Sequence, residues 1–323
     1  MQNNRLEYID LARVIAIFSV LIYHFPLRNE IWGLTTFINT YFLALFFFLS
    51  GLLTHPKADW EWMKGKIKRL LIPLLSFYVP FIPFLAWYRG TPLLSTINNV
   101  IWDDSKGGYW FVFTLFAAIS IIWVIYVLYQ KLSLHKWVYI ALLVLPWIIA
   151  CGMSLILPQD ISYLLSIPSF RRYYIFVLLG MYCQRAEVQI LWKNKFIYAE
   201  ISITYILLIL VSLWKFQSVE SNLSFLIWIL TNIFGCLFFV ETCRRICIHT
   251  HLPKMITWIS MDSLGIYLGH YFFLYSTKSL FLQIPISPYI SLIPYTIILM
   301  GISLCMTRLL RKNSITTKLF LGQ

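Results

Sequence analysis

The chain has 323 residues, 60% of them hydrophobic and only 12% charged, with 25 Phe, 20 Tyr and 13 Trp, far from the roughly one-quarter charged composition of soluble domains. That balance excludes a soluble globular fold and predicts an all-α polytopic membrane protein. The formal charge of +13 does not point to nucleic acid, because Lys and Arg fall in short blocks between apolar runs, where membrane orientation requires them.

A span takes about 20 apolar residues, and ten candidates follow in order: 8–27, 33–54, 69–88, 109–130, 137–157, 165–184, 196–214, 222–240, 263–283 and 287–308. The sixth is the weakest, since Arg171 and Arg172 leave only the run from Tyr173 to Gln184. With ten spans and the N-terminus inside, eighteen Lys and Arg fall on the inner side, Arg5 and Lys193 among them, against six outside. Removing the sixth span would carry the basic loop 241–258 and the C-terminal tail outside, so a bundle of about ten helices with both termini cytoplasmic is expected. The loops are short, and the whole of 1–323 is expected to be a single transmembrane domain with no separate soluble domain. The first apolar run lacks a small-residue cleavage site and reads as a retained span. Six cysteines in or beside apolar segments read as small hydrophobes, and no metal is expected.

The first span, Tyr8 to Phe25, carries Asp10, Arg13 and His24 in an otherwise apolar run. Ionisable groups at bilayer depth are costly and usually face a bundle interior or a water-filled path. Arg13 and His24 are eleven residues apart, which on a helix leaves them within roughly 20° of each other, with Asp10 one turn below Arg13. An Asp10–Arg13 pair that neutralises itself while packing the bundle fits the spacing equally well. With this topology Asp10 and Arg13 lie towards the cytoplasm and His24 towards the outer face.

The second span ends in Phe47-Phe48-Leu49-Ser50-Gly51, which suits either helix packing or close approach of a ligand. Next come Lys64, Lys66, Lys68 and Arg69, the densest basic cluster, suited to anionic headgroups or to the phosphates of a nucleotide-containing ligand. Asp103-Asp104 lead into Tyr109-Trp110-Phe111, which reads as an interfacial aromatic belt or as carboxylates and rings for a carbohydrate. In the ninth span, Tyr267 and His270 lie about two turns from the cytoplasmic side and read as supporting residues. No Walker loop, G-x-S-x-G or H-E-x-x-H is present.

Arg5…Ile9-Asp10-Leu11-Ala12-Arg13…His24, the F-F-L-S-G run, Lys66-Ile67-Lys68-Arg69…Pro73, Tyr109-Trp110-Phe111 and Ile266-Tyr267-Leu268-Gly269-His270 together resemble, in order, the motifs of the acyltransferase-3 family of bacterial membrane O-acyltransferases. Lys66 stands where that family has an arginine and lacks its bidentate fork. The resemblance implies a cytoplasmic acyl-CoA donor, acetyl-CoA above all, and a glycan or lipid-linked sugar acceptor. It implies Arg13 and His24 as functional residues with Asp10 beside them, Lys66, Arg69 and Ser50 as donor contacts, and a multi-pass protein of the bacterial inner membrane. Asp103, Asp104, Tyr109 and Trp110 are then the acceptor candidates, and His24, with an ordinary pKa near working pH, the general base. A direct transfer and an acyl-histidine are both compatible with this. Glycan flipping or transport without acyl transfer is the alternative that intramembrane charges also suit.

Overall fold

The computed structural model of the chain describes residues 6–185, 194–215, 222–282 and 286–323, and among them every regular element is helical. Arg5 and Lys193, counted above among the inner charges, lie outside the described residues. The helices are α1 Glu7–Tyr23, α2 Trp32–Asn39, α3 Phe42–Leu52, α4 Trp60–Lys66, α5 Ile72–Arg89, α6 Leu93–Trp102, α7 Trp110–Lys131, α8 Lys136–Ile156, α9 Gln159–Leu164, α10 Ile167–Cys183, α11 Lys195–Lys215, α12 Asn222–His249, α13 Lys254–Leu282, α14 Pro288–Leu310 and α15 Ser314–Thr316. Two π-helical turns, Ile67–Leu71 and Thr317–Leu321, adjoin α4 and α15.

Among the described residues seven segments are long and apolar enough to cross a membrane: 32–52, 60–89, 110–131, 136–156, 195–213, 223–249 and 288–310. The three other predicted spans correspond to α1, α10 and α13. The first two have 17 residues each. The third has 29 but carries Lys254, Asp262, His270 and Lys278 along its length. The first two thus fall just short of a span in length, and the third is long enough but too polar along its length.

The chain forms two compact units, one of residues 1–53 and 179–305, the other of residues 54–178 and 306–323. In the first, α1 is the central helix and packs on α3, α12 and α13, while α11 lies on α12. Its inward residues Ile9, Ala12, Ala16, Ile17, Val20 and Leu21 are buried, at the three- and four-residue spacing of one helix face. In the second, α5 packs on α6 and on the turn Thr317–Leu321, and α7 on α8. Ala150 is the one buried residue of α8, whose Leu145, Ile148, Ile149, Leu155 and Ile156 are exposed apolar side chains, the composition of a lipid-facing surface.

Local chemistry sets the ends of these helices. Asp59 caps α4 by accepting from the Trp62 N–H at 2.6 Å, satisfying one of the donors a helix start leaves over. Gly90 ends α5 with φ 63°, the left-handed cap that glycine adopts at no steric cost. Pro26 follows α1 closely, and a proline disfavours helical backbone just before it.

Candidate functional site

In the first unit Asp10 and His24 of the first span turn towards α13. The Asp10 carboxylate, 4% exposed, accepts a hydrogen bond from Ser260 Oγ at 2.6 Å. At the other end of α1, the His24 ring lies 5.1 Å from that of His270 and 5.5 Å from that of Tyr271, centroid to centroid. Asp10 meets an early residue of α13 and His24 a later one, so the two helices run parallel. Arg13 lies between them along α1, half-buried.

His24 caps the C-terminal end of α1, where the last carbonyls have no partner within the helix. Tyr295 supplies one: its hydroxyl donates to the His24 carbonyl at 3.0 Å, and its ring packs edge-on to Phe25. The Tyr271 hydroxyl stands 3.5 Å from His24 Nε2, a long contact for a hydrogen bond. The backbone of His24 is thus held by Tyr295, and its imidazole is faced by two polar groups of α13.

His270 is fully buried, and its Nδ1 lies 2.6 Å from the Tyr267 carbonyl. A carbonyl only accepts, so Nδ1 carries the proton and Nε2 holds the lone pair. That Nε2 has no hydrogen-bond partner among the described residues. Tyr267 holds the tautomer through its backbone, while its ring lies 5.8 Å from that of His270. The helix begins at Lys254 rather than at 263 as the sequence suggests, and this carries His270 to the level of His24.

Ser50 turns its hydroxyl back to the Phe46 carbonyl at 2.8 Å. The adjacent Gly51 carbonyl accepts from Gln184 Nε2 at 2.6 Å. Close packing surrounds them, for a Cβ on Gly180 would stand 2.1 Å from the Phe48 carbonyl oxygen.

The second unit carries the other predicted residues. Lys66 ends α4 with its ammonium 4.9 Å over the Trp62 ring. Lys68 and Arg69 are exposed on the π-helical turn that follows. Three cations within four residues, two of them exposed, fit a polyphosphate by charge, with Arg69 alone offering a planar fork. Elsewhere in this unit Asp103 accepts from Ser105, and Asp104 is half-buried beside Ser169, Arg172 and Lys106. Burial pushes the Asp104 carboxyl up, more than the charges of Arg172 and Lys106 and the Ser169 hydrogen bond draw it down, and the nearby Asp103 charge adds to the rise. Its Oδ1 has no hydrogen-bond partner among the described residues. Lys106 is buried, donating to the carbonyls of Ile101 and, at 2.9 Å, Tyr163. Burial lowers its pKa.

Trp110 lies 5.2 Å from the ring of Tyr173, whereas Tyr109 is fully buried with Tyr78 and Phe81 at 5.5 and 5.1 Å. The structure therefore gathers Asp10, His24, Tyr267 and His270 around the α1–α13 pair. It holds Asp103, Asp104 and Trp110 in a second group and Lys66 and Arg69 in a third. Ser260, Tyr271 and Tyr295 are residues of the first group that the sequence reading missed. Only Tyr271, directly after the Y-L-G-H run, had a signal nearby.

The acyltransferase domain of the acyltransferase-3 family matches residues 6–308. The chain belongs to the acyltransferase-3 family. As a member it is a multi-pass membrane acyltransferase, and the match takes in α1 through the greater part of α14. No curated protein and no solved structure matches the chain significantly. Every residue of the three groups falls within the acyltransferase match, while residues 309–323 lie beyond it.

Proposed function

We propose that this acyltransferase moves an acyl group, acetyl being the simplest, from cytoplasmic acyl-CoA to a hydroxyl of a cell-surface or lipid-linked glycan. In this reading it is a ten-span protein of the bacterial inner membrane with both termini cytoplasmic. The observation that carries it is His24, held at the end of α1 by Tyr295 and faced by His270 and Tyr271, in a chain of acyltransferase membership.

His24 acts as general base. It takes the proton of the acceptor hydroxyl as that oxygen bonds to the acyl carbon, and it returns the proton to the thiolate released when the carbon–sulfur bond breaks. The rings of His270 and Tyr271, packed beside the imidazole, hold it in its working orientation. Asp10 and Arg13 set the charge of the opposite end of α1. Lys66 and Arg69 counter the phosphates of the donor, with Ser50 a further donor contact. Asp103, Asp104 and the Trp110 face supply hydroxyl acceptors and a stacking surface for the sugar, and Tyr109 backs that surface from the core.

The test is transfer of label from acetyl-CoA, supplied to inverted membranes, into envelope glycan. His24→Ala should lower it at least about 100-fold, with Arg13→Ala also strongly impaired. Correctly inserted variants that transfer as well as the wild type would overturn the proposal.

A further inference from the structure

Beyond the family match, the chain folds back on its own basic turn. After α14, Asn313 accepts from the Ile315 N–H at 2.8 Å and caps α15, and the π-helical turn Thr317–Leu321 leads to Gly322 at φ 64°. There the backbone touches the turn Ile67–Leu71. A Cβ on Gly322 would stand 2.1 Å from the Lys68 carbonyl oxygen and 2.8 Å from Arg69 Cα, distances that no side chain tolerates. Glycine is required here twice over, for the approach and for the left-handed backbone. Phe320 packs edge-on against Phe77 of α5 with ring centroids 5.2 Å apart, Leu321 is buried, and Arg311 donates to the Gln323 side chain.

The basic turn thus has its backbone covered while the side chains of Lys68 and Arg69 remain exposed. A π-helical turn within a helix is an uncommon backbone, frequent at functional sites. Fixing it in advance removes the ordering that a ligand would otherwise have to impose. We infer that residues 311–323 are a brace that fixes the turn 67–71 and so presents Lys66, Lys68 and Arg69 as a preorganised site for the phosphates of the donor. This rests on the reading that the turn takes acyl-CoA. Phe320 and Gly322 are positioning residues in it and touch no substrate.

The experiment uses the full chain in nanodiscs, with coenzyme A as the probe, and reads CoA affinity together with amide exchange over residues 67–71. Gly322→Ala and Phe320→Ala should each speed exchange at the turn and weaken CoA binding about tenfold. KM for acetyl-CoA should rise with kcat little changed, and Phe320→Leu, which restores an apolar contact with Phe77, should recover most of the affinity. If both alanine variants bind CoA like the wild type, the brace has no part in donor binding and the inference is overturned, whether or not exchange quickens. Arg69→Ala tests the reading beneath. Should it bind CoA as the wild type does, or should the wild type bind none, the donor role of the turn fails, while exchange at 67–71 still decides whether the segment braces it.

Discussion

His24, at the C-terminal end of α1, and His270, well inside α13, face each other with ring centroids 5.1 Å apart. In the proposed mechanism the arrangement separates two duties that a single catalytic histidine would have to combine. His270 has its tautomer fixed by the Tyr267 carbonyl, and its Nε2, which has no partner among the described residues, can only accept. His24 has its backbone fixed by Tyr295, and in the proposed mechanism its ring is the base.

Substitution of the two histidines should therefore have unequal effects. His24→Ala is expected to remove the general base and to cost at least about 100-fold in transfer. His270→Gln, which keeps hydrogen-bonding capacity without the imidazole, should cost about tenfold and shift the pH profile of kcat, with KM for acetyl-CoA little changed. Equal losses in the two variants would give both rings the same role and contradict the division drawn here.

At the other end of α1, the bond from Ser260 to Asp10 is buried. Ser260→Ala leaves a buried carboxylate short of a donor, at a cost of roughly 1–3 kcal/mol, and Asp10→Ala leaves a hydroxyl without its acceptor. The two changes should be non-additive, the double variant losing less than the sum of the singles, with thermal unfolding in detergent as the measurement. Strict additivity would mean that the bond does not tie α1 to α13.

Much of this was legible in the residues and some was not, for reasons that differ by site. The Asp10–His24 face of α1 could be read from helical period alone, because an ionisable side chain in an apolar run needs a partner. The identity of that partner could not, since Ser260 and His270 belong to a helix near the other end of the chain. The depth of His270 was misread through Asp262. Hydropathy counts that residue as an end to the span, but it is 1% exposed and the helix continues through it to Lys254. Tyr109 shows the converse: an aromatic at the start of a span reads as interfacial whether its ring meets lipid, a sugar or, as here, Tyr78 and Phe81. The close approach at Gly180 had no signal in the sequence, which does not say which glycine another helix will meet.

Two helical glycines make a matched test of packing. Gly180 is pressed on α3, and an added Cβ would overlap the Phe48 carbonyl at 2.1 Å and the Leu52 nitrogen at 2.7 Å. Gly180→Ala must separate α10 from α3 and should destabilise by about 1–3 kcal/mol. Gly301 in α14 has nothing within 4 Å of the same position, so Gly301→Ala should be neutral or stabilising by about 0.5–1 kcal/mol. Thermal unfolding compares them directly, and a tolerated Gly180→Ala would be inconsistent with the contact.

Asp104 sets stability against its proposed place in the acceptor site, and pH separates the two. Its carboxyl is raised above the ordinary 3.8, chiefly by burial. Between 3.8 and that raised value the native state therefore binds more protons than the unfolded chain, so stability falls as pH rises through this window and stays lower above it. Asp104→Asn removes the buried charge and should raise the melting temperature at pH 7 by on the order of 1–2 °C, with the gain vanishing below pH 3.8. Transfer should move the other way, falling about tenfold, because a carboxylate acceptor for a sugar hydroxyl is exchanged for a neutral amide. Melting curves at pH 3.5 and 7 with transfer assays on the same preparations check both halves. A variant destabilised at pH 7 would mean that Arg172, Lys106 and Ser169 repay the burial in full, and unchanged transfer would remove Asp104 from the acceptor site.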